Sequence, residues 1–106
     1  MTEPCLAKEH LSNEELNAIG MLKVEAINDS LVWSSETLKN GMAQYNDALR
    51  SIAHIDTLQL IDLERVIPKN LTFFRDEVHY RDTSFSVIAE FVASNLRVWL
   101  DPKEAQ

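Results

Sequence analysis

The clearest hydrophobic pattern in this chain lies between residues 38 and 52. Five apolar side chains recur there at helical spacing: Leu38, Met42, Tyr45, Leu49 and Ile52. Steps of four, three, four and three residues bring such side chains to one face of an α-helix. Ser34 or Ser35 is the expected N-cap, and Glu36 lies in the first turn, where a negative charge is favourable. The pattern therefore predicts an amphipathic helix that begins near residue 35.

An earlier helix is predicted from a capping motif. Ser12 and Glu15 have capping-box spacing, which indicates a helix from there through about Asp29. Its apolar positions form a broken stripe: Leu16, Ile19 and Ile27. Residues 1–11 show no hydrophobic period and are expected to form a loose lead-in. We therefore divide the chain into residues 1–32, the lead-in and first helix, and residues 33–106, a C-terminal segment.

A third helix has the strongest pattern. Asp82 or Thr83 can cap it, and Asp101, which precedes a proline, marks its expected end. The expected core face consists of six residues: Phe85, Ile88, Ala89, Val92, Leu96 and Trp99.

Residues 57–63, "TLQLIDL", are predicted to form a short strand. Ile61 breaks the alternation of apolar and polar residues, which is typical of a strand covered on both faces in a parallel sheet. Residues 64–82 contain no glycine and are expected to form a long loop, and such loops in compact domains are usually functional. Because one strand needs partners for its backbone groups, the pattern indicates either the end of an α/β domain or a mainly helical chain.

Charge and cysteine content disfavour several classes of function. Seventeen acidic and ten basic residues give a net charge of -7, which disfavours binding to nucleic acid or to anionic membrane surfaces. Cys5 is the only cysteine, and His10 and His54 lie on separate predicted elements, so neither a disulfide, a metal site nor a cofactor is expected. No secretory signal is visible, and a cytoplasmic location is expected unless a signal peptide precedes this sequence.

One short stretch, "RDEVHYRD" at residues 75–82, contains candidate catalytic residues. Asp76 precedes His79 by three residues within the predicted loop. A neutral imidazole can accept the proton of a serine hydroxyl, and a carboxylate on its other nitrogen fixes the tautomer and orientation. A charged surface turn has the same spacing, so the spacing alone does not distinguish the two interpretations.

The order of motifs around this stretch resembles the C-terminal part of SGNH (GDSL-type) hydrolases. Residues 33–100 contain five features in the order of that family: Tyr45-Asn46 in a helix, Ile61-Asp62-Leu63 ending a strand, the Asp76–His79 block, Val78 before the histidine, and Ile88-Ala89 in the last helix. Ser84 departs from the family, which commonly has glycine five residues after the histidine.

The resemblance implies a three-layer, flavodoxin-like α/β fold, of which this chain is the largely helical C-terminal part (helix, helix, strand, loop, helix). It also implies carboxylic-ester hydrolysis or deacetylation of a small-molecule or glycan substrate, with Asp76 and His79 as two members of the catalytic triad. The family's nucleophile lies in a Gly-Asp-Ser block, and later Gly and Asn blocks supply oxyanion donors. Gly20 and Gly41 are each followed by methionine, so the block is absent from these 106 residues. We expect the chain to be inactive alone, and to self-associate or to be completed by another chain.

Two alternatives belong to other classes of protein. In the first, the chain is a non-catalytic interaction module that keeps a hydrolase framework and pairs with a partner through its amphipathic helices and strand edge. In the second, it is a small acidic helical protein unrelated to hydrolases. Under both alternatives the Asn-Asp-Ser stretch at residues 28–30 is a cap or a turn, as it is under the hydrolase interpretation.

Overall fold

In the computed structural model, which describes residues 1–20, 34–101 and 103, the chain is largely helical. Three α-helices occur in those ranges: α1 (Asn13–Ala18), α2 (Ser35–Ile55) and α3 (Asp82–Leu100). A short 3-10 helix, Leu63–Arg65, lies between α2 and α3, and no β-strand forms within the described ranges. The largely helical character predicted for the chain is therefore confirmed.

Helix α1 begins as predicted and ends early. Ser12 accepts a hydrogen bond from the Glu15 N–H (3.1 Å), and the Glu15 carboxylate accepts one from the Ser12 N–H (2.9 Å), which completes the capping box. The helix ends at Ala18 because Ile19 has extended backbone angles. The rest of the predicted helix and the Asn-Asp-Ser stretch fall within residues 21–33, outside the described part of the chain.

Helix α2 also begins at the predicted cap. Ser34 accepts from the Thr37 N–H at 3.0 Å, which satisfies one of the free donors of the first turn. Leu38 is buried on the predicted apolar face, whereas Tyr45 and Ile52 are about half exposed (55% and 51%). The predicted face therefore packs against the core only near the start of the helix.

Thr57 ends α2 in a left-handed turn. Its φ is 52°, and the Leu58 N–H donates to the Ala53 C=O at 2.8 Å, while the Thr57 N–H donates to the His54 C=O at 3.4 Å. This pair of bonds is the Schellman pattern, in which the left-handed residue is usually glycine. The turn separates α2 from the chain that follows it.

The prediction of a strand at residues 57–63 is wrong. The Thr2 N–H donates to the Ile61 C=O at 3.0 Å, and from Leu63 onward the chain coils into the 3-10 helix. A strand is stable only when a neighbouring strand pairs with its donors and acceptors along its length. The described residues provide one such bond to this segment rather than a ladder, so apolar pattern alone does not make it a strand.

The N-terminal segment, predicted to be a loose lead-in, is instead part of the core. Thr2 and residues 4–7 are buried. The buried hydrophobic cluster has seven members: Cys5, Leu6, Ala7, Ile19, Leu38, Ile67 and Phe74. Leu38 is the one member of this cluster that lies within a helix, so the core of the described chain is built mainly from irregular segments. The prediction failed because these segments are held by long-range contacts and have no local period.

Helix α3 differs from its prediction at its start and along its face. Arg81 is the N-cap and makes no side-chain capping bond, so the predicted caps Asp82 and Thr83 are wrong. Asp82 lies in the first turn, where its charge still favours the helix. Phe85 and Leu96 of the predicted core face are 55% and 43% exposed, so the rest of the described chain covers this face only in part.

Candidate catalytic dyad

The loop that carries Asp76 and His79 is closed at its base by backbone pairing. Phe74 and Tyr80 form an isolated antiparallel bridge, and the Arg75 N–H donates to the His79 C=O at 2.8 Å. The loop therefore folds back on itself within a few residues. This return brings Asp76 and His79 to the same side of the loop.

Asp76 contacts His79 through both its backbone and its ring. Asp76 Oδ1 accepts from the backbone N–H groups of Val78 (3.0 Å) and His79 (2.8 Å). The Nδ1 atom of His79 lies 2.8 Å from Oδ2 and 3.0 Å from Oδ1 of the same carboxylate. Since an ionised carboxylate can only accept, Nδ1 carries the proton in this arrangement. The neutral ring then has its free lone pair on Nε2, which is the state a general base requires.

The carboxylate is stabilised in its ionised form. Burial by itself would raise the pKa of Asp76, but the N–H groups of His79 and Val78 and the His79 ring outweigh it, so this pKa lies below its usual value. The Asp76 side chain is 32% exposed and that of His79 is 74% exposed. The imidazole is therefore held by Asp76 on one side and open to an incoming group on the other.

The start of α3 is bonded to the chain that enters the loop. Ser84 is fully buried, its hydroxyl donates to the Phe73 C=O, and its N–H donates to the Arg81 C=O at 2.9 Å. The Arg81 N–H also donates to the Phe73 C=O (2.9 Å), and Arg81 Nε donates to the Phe74 C=O (3.1 Å). The Ser84 side chain thus makes a bond that a glycine at this position could not make.

Aromatic rings pack beneath the loop. The Tyr80 ring lies 5.6 Å from that of Phe74 and 6.2 Å from that of Phe85, the second pair edge-on, and both are favourable aromatic geometries. Burial and the nearby Glu3 raise the pKa of Tyr80 to about 12, so its hydroxyl stays neutral. Because Tyr80 directly follows His79, its packing fixes the backbone of the histidine.

Four serines in the part of the chain that the structure describes have structural roles of their own. Ser84, the nearest serine in sequence to His79, is buried and bonded to Phe73. Ser12 and Ser34 cap helices, and Ser94 donates to the Glu90 C=O within α3. Nor does the described part of the chain contain three metal-ligating side chains grouped around one point.

Two residues of the family-like motifs have roles that the sequence did not reveal. Asn46 is fully buried and bonds both backbone groups of Glu3, while Asp62 accepts from the Thr2 hydroxyl at 2.8 Å. Arg50 donates to both Asp62 oxygens at 2.8 Å. Asn46, Ile61 and Asp62 thus hold the N-terminal segment in place.

Comparison with protein-family models, with curated proteins and with solved structures gave no match to this chain. No helix in the described ranges is both long enough and apolar enough to span a membrane. The functional assignment therefore depends on the dyad and on the motif order alone.

Proposed function

We propose that this chain is the C-terminal part of an SGNH-type serine hydrolase that acts on carboxylic esters or acetyl groups. The observation that supports the proposal is the contact of 2.8 Å between His79 Nδ1 and Asp76 Oδ2 on a loop closed at its base. Asp76 orients the imidazole, and His79 Nε2 accepts the proton of a serine hydroxyl. The parent fold is the three-layer α/β architecture of that family, and its location is cytoplasmic.

The serine and the oxyanion donors come from a segment outside these 106 residues, either upstream in the same protein or in a complementing chain. A base without its nucleophile and oxyanion donors retains almost none of the barrier lowering of a complete triad. The isolated 106-residue chain is accordingly proposed to lack hydrolytic activity. The substrate class is an ester or an acetylated small molecule or glycan.

The test begins with the coding DNA upstream of Met1 and ends with the extended protein. We expect an in-frame Gly-Asp-Ser block there, and a protein that includes it should hydrolyse a nitrophenyl ester and react with a fluorophosphonate probe. His79→Ala should then lower kcat by on the order of a thousandfold or more, whereas His54→Ala, which alters an exposed histidine on α2, should not. Stoichiometric serine labelling of the 106-residue chain alone would overturn the proposal.

A second candidate function is supported by exposed apolar residues. Several large hydrophobic side chains of α2, α3 and the chain after α2 are at least two-fifths exposed: Ile52, Ile55, Leu58, Phe85, Leu96, Val98 and Leu100. Exposed apolar side chains that form one contiguous patch usually mark contact with another protein. If the extended protein lacks hydrolytic activity but forms a stable complex, the non-catalytic interaction module becomes the better description.

A further inference from the structure

The tip of the dyad loop is bonded to the N-terminal twenty residues through a single residue, Glu77. Its backbone C=O accepts from the Leu6 N–H at 2.9 Å. Its side-chain Oε2 accepts from the Gly20 N–H at 2.8 Å. Leu6 itself is fully buried in the hydrophobic cluster, so the first of these bonds joins the loop tip to the core.

These two bonds hold the backbone between Asp76 and His79, whose position sets the contact between the two side chains. Glu77 lies directly after Asp76 and two residues before His79, within the turn whose N–H groups bind Asp76 Oδ1. The bridge between Phe74 and Tyr80 fixes the base of the loop, whereas the bonds of Glu77 act at its tip. Displacement of the tip would lengthen the two N–H contacts to Asp76 together with its contact to the ring.

We propose that Glu77 is a positioning residue for the Asp76–His79 dyad: it fixes the loop tip to Leu6 and Gly20, and thereby holds the carboxylate and the imidazole in contact. Its catalytic meaning rests on the proposed hydrolase function. The positioning itself is measurable on the chain as it exists, without any turnover. The carboxylate of Glu77 acts through Asp76 and does not take part in proton transfer.

Loss of the Glu77 charge and loss of its positioning bond are expected to shift the pKa of Asp76 in opposite directions, which makes the proposal testable. A neighbouring negative charge raises a carboxyl pKa, so removal of the charge alone lowers the pKa of Asp76. Loss of the N–H contacts from Val78 and His79 raises it, because those contacts hold it below its usual value. The sign of the change therefore separates positioning from electrostatics.

The experiment compares Glu77→Ala with Glu77→Gln, which loses the same charge but keeps an oxygen that can accept from Gly20. The pKa of Asp76 is followed by carbon NMR of its carboxyl group, and the tautomer of neutral His79 by the nitrogen shifts of its ring. We expect Glu77→Ala to raise the Asp76 pKa toward its ordinary value and to move the His79 proton from Nδ1 toward Nε2. Glu77→Gln should keep the Nδ1 tautomer and a low Asp76 pKa.

Gly20→Pro provides a second variant, since it removes the N–H donor but leaves the Glu77 charge in place. It should change the tautomer in the same direction as Glu77→Ala. Both Glu77 variants keep the backbone bond from Leu6, so they test the side-chain bond to Gly20. If Glu77→Ala lowers the pKa of Asp76 and leaves the tautomer unchanged, or if the Ala and Gln variants behave alike, the positioning role of the Glu77 side chain is overturned. If these titrations come out as expected and the serine-containing protein still hydrolyses no ester, the proposed function fails while the positioning role stands.

Discussion

The side chain of Asn46 on α2 hydrogen-bonds both backbone polar groups of Glu3. The Glu3 N–H donates to Asn46 Oδ1 at 2.8 Å, and Asn46 Nδ2 donates to the Glu3 C=O at 2.9 Å. An amide side chain thus satisfies the backbone donor and acceptor of one residue, as a neighbouring strand would do. This contact joins the N-terminal segment to the helix that precedes the dyad loop.

Substitution of Asn46 by alanine should destabilise the fold substantially. The variant leaves the donor and the acceptor of Glu3 without their partner in a partly buried site, which costs about 2 kcal/mol of unfolding free energy. Urea denaturation measures the loss. Asn40→Ala is the matched control, because Asn40 is exposed on the same helix and its loss should change stability by less than about 0.5 kcal/mol. Equal effects of the two variants would contradict this role.

Arg50 should contribute far more than Arg65, although both contact Asp62. Arg50 is 19% exposed and also reaches Glu64 at 2.6 Å, whereas Arg65 is 70% exposed and lies 3.4 Å from Asp62. Arg50→Ala removes the nearest cation of partly buried Asp62 and one of the two cations of Glu64, which keeps Lys69 at 2.7 Å. We expect this to cost about 2 kcal/mol. Arg65→Ala should cost less than about 0.5 kcal/mol. Comparable losses in chemical denaturation would refute the ranking.

Replacement of Thr57 by glycine should stabilise the protein. Thr57 has a φ of 52°, a left-handed conformation that is costly for a β-branched residue and free for glycine. We expect a gain of about 1 kcal/mol, visible as a higher Tm. Thr72→Gly is the control: Thr72 is exposed and lacks a positive φ, so glycine there should lower the Tm. A lower Tm for Thr57→Gly would show that the turn is not strained.

Acid should destabilise the fold through its paired carboxylates. The hydrogen bond from Arg50 lowers the pKa of Asp62, and the hydrogen bond from Lys8 lowers that of Glu15. Groups with a depressed folded pKa contribute their full stability above the unfolded value of about 4 and lose it as the pH falls through the folded value. Stability should therefore be constant near neutral pH and fall below about pH 4.

Thermal melts across this range measure the effect. Asp62→Asn should reduce stability at pH 7 and give a shallower fall in acid, because one of the titrating groups is gone. A pH profile for that variant parallel to that of the unaltered chain would show that Asp62 does not contribute to the acid loss.

The sequence by itself determined the starts of α1 and α2 and the proximity of Asp76 to His79. Ser12 with Glu15, and Ser34 before α2, mark helix starts because capping depends on residues a few positions apart. The same short range explains Asp76 and His79, whose spacing of three lets one turn bring their side chains together. The largely helical content of the chain, and the long loop before its last helix, could be predicted for the same reason.

Only the tertiary structure decided the role of the N-terminal segment and the state of residues 57–63. Thr2 bonds Asp62 across 60 positions, and Gly20 bonds Glu77 across 57. Neither contact produces a hydrophobic period in the sequence. The N-terminal segment was therefore predicted to be a loose lead-in, although it is largely buried. The predicted strand failed for a related reason: its apolar pattern specifies burial, but strand formation requires a neighbouring backbone that pattern alone does not supply.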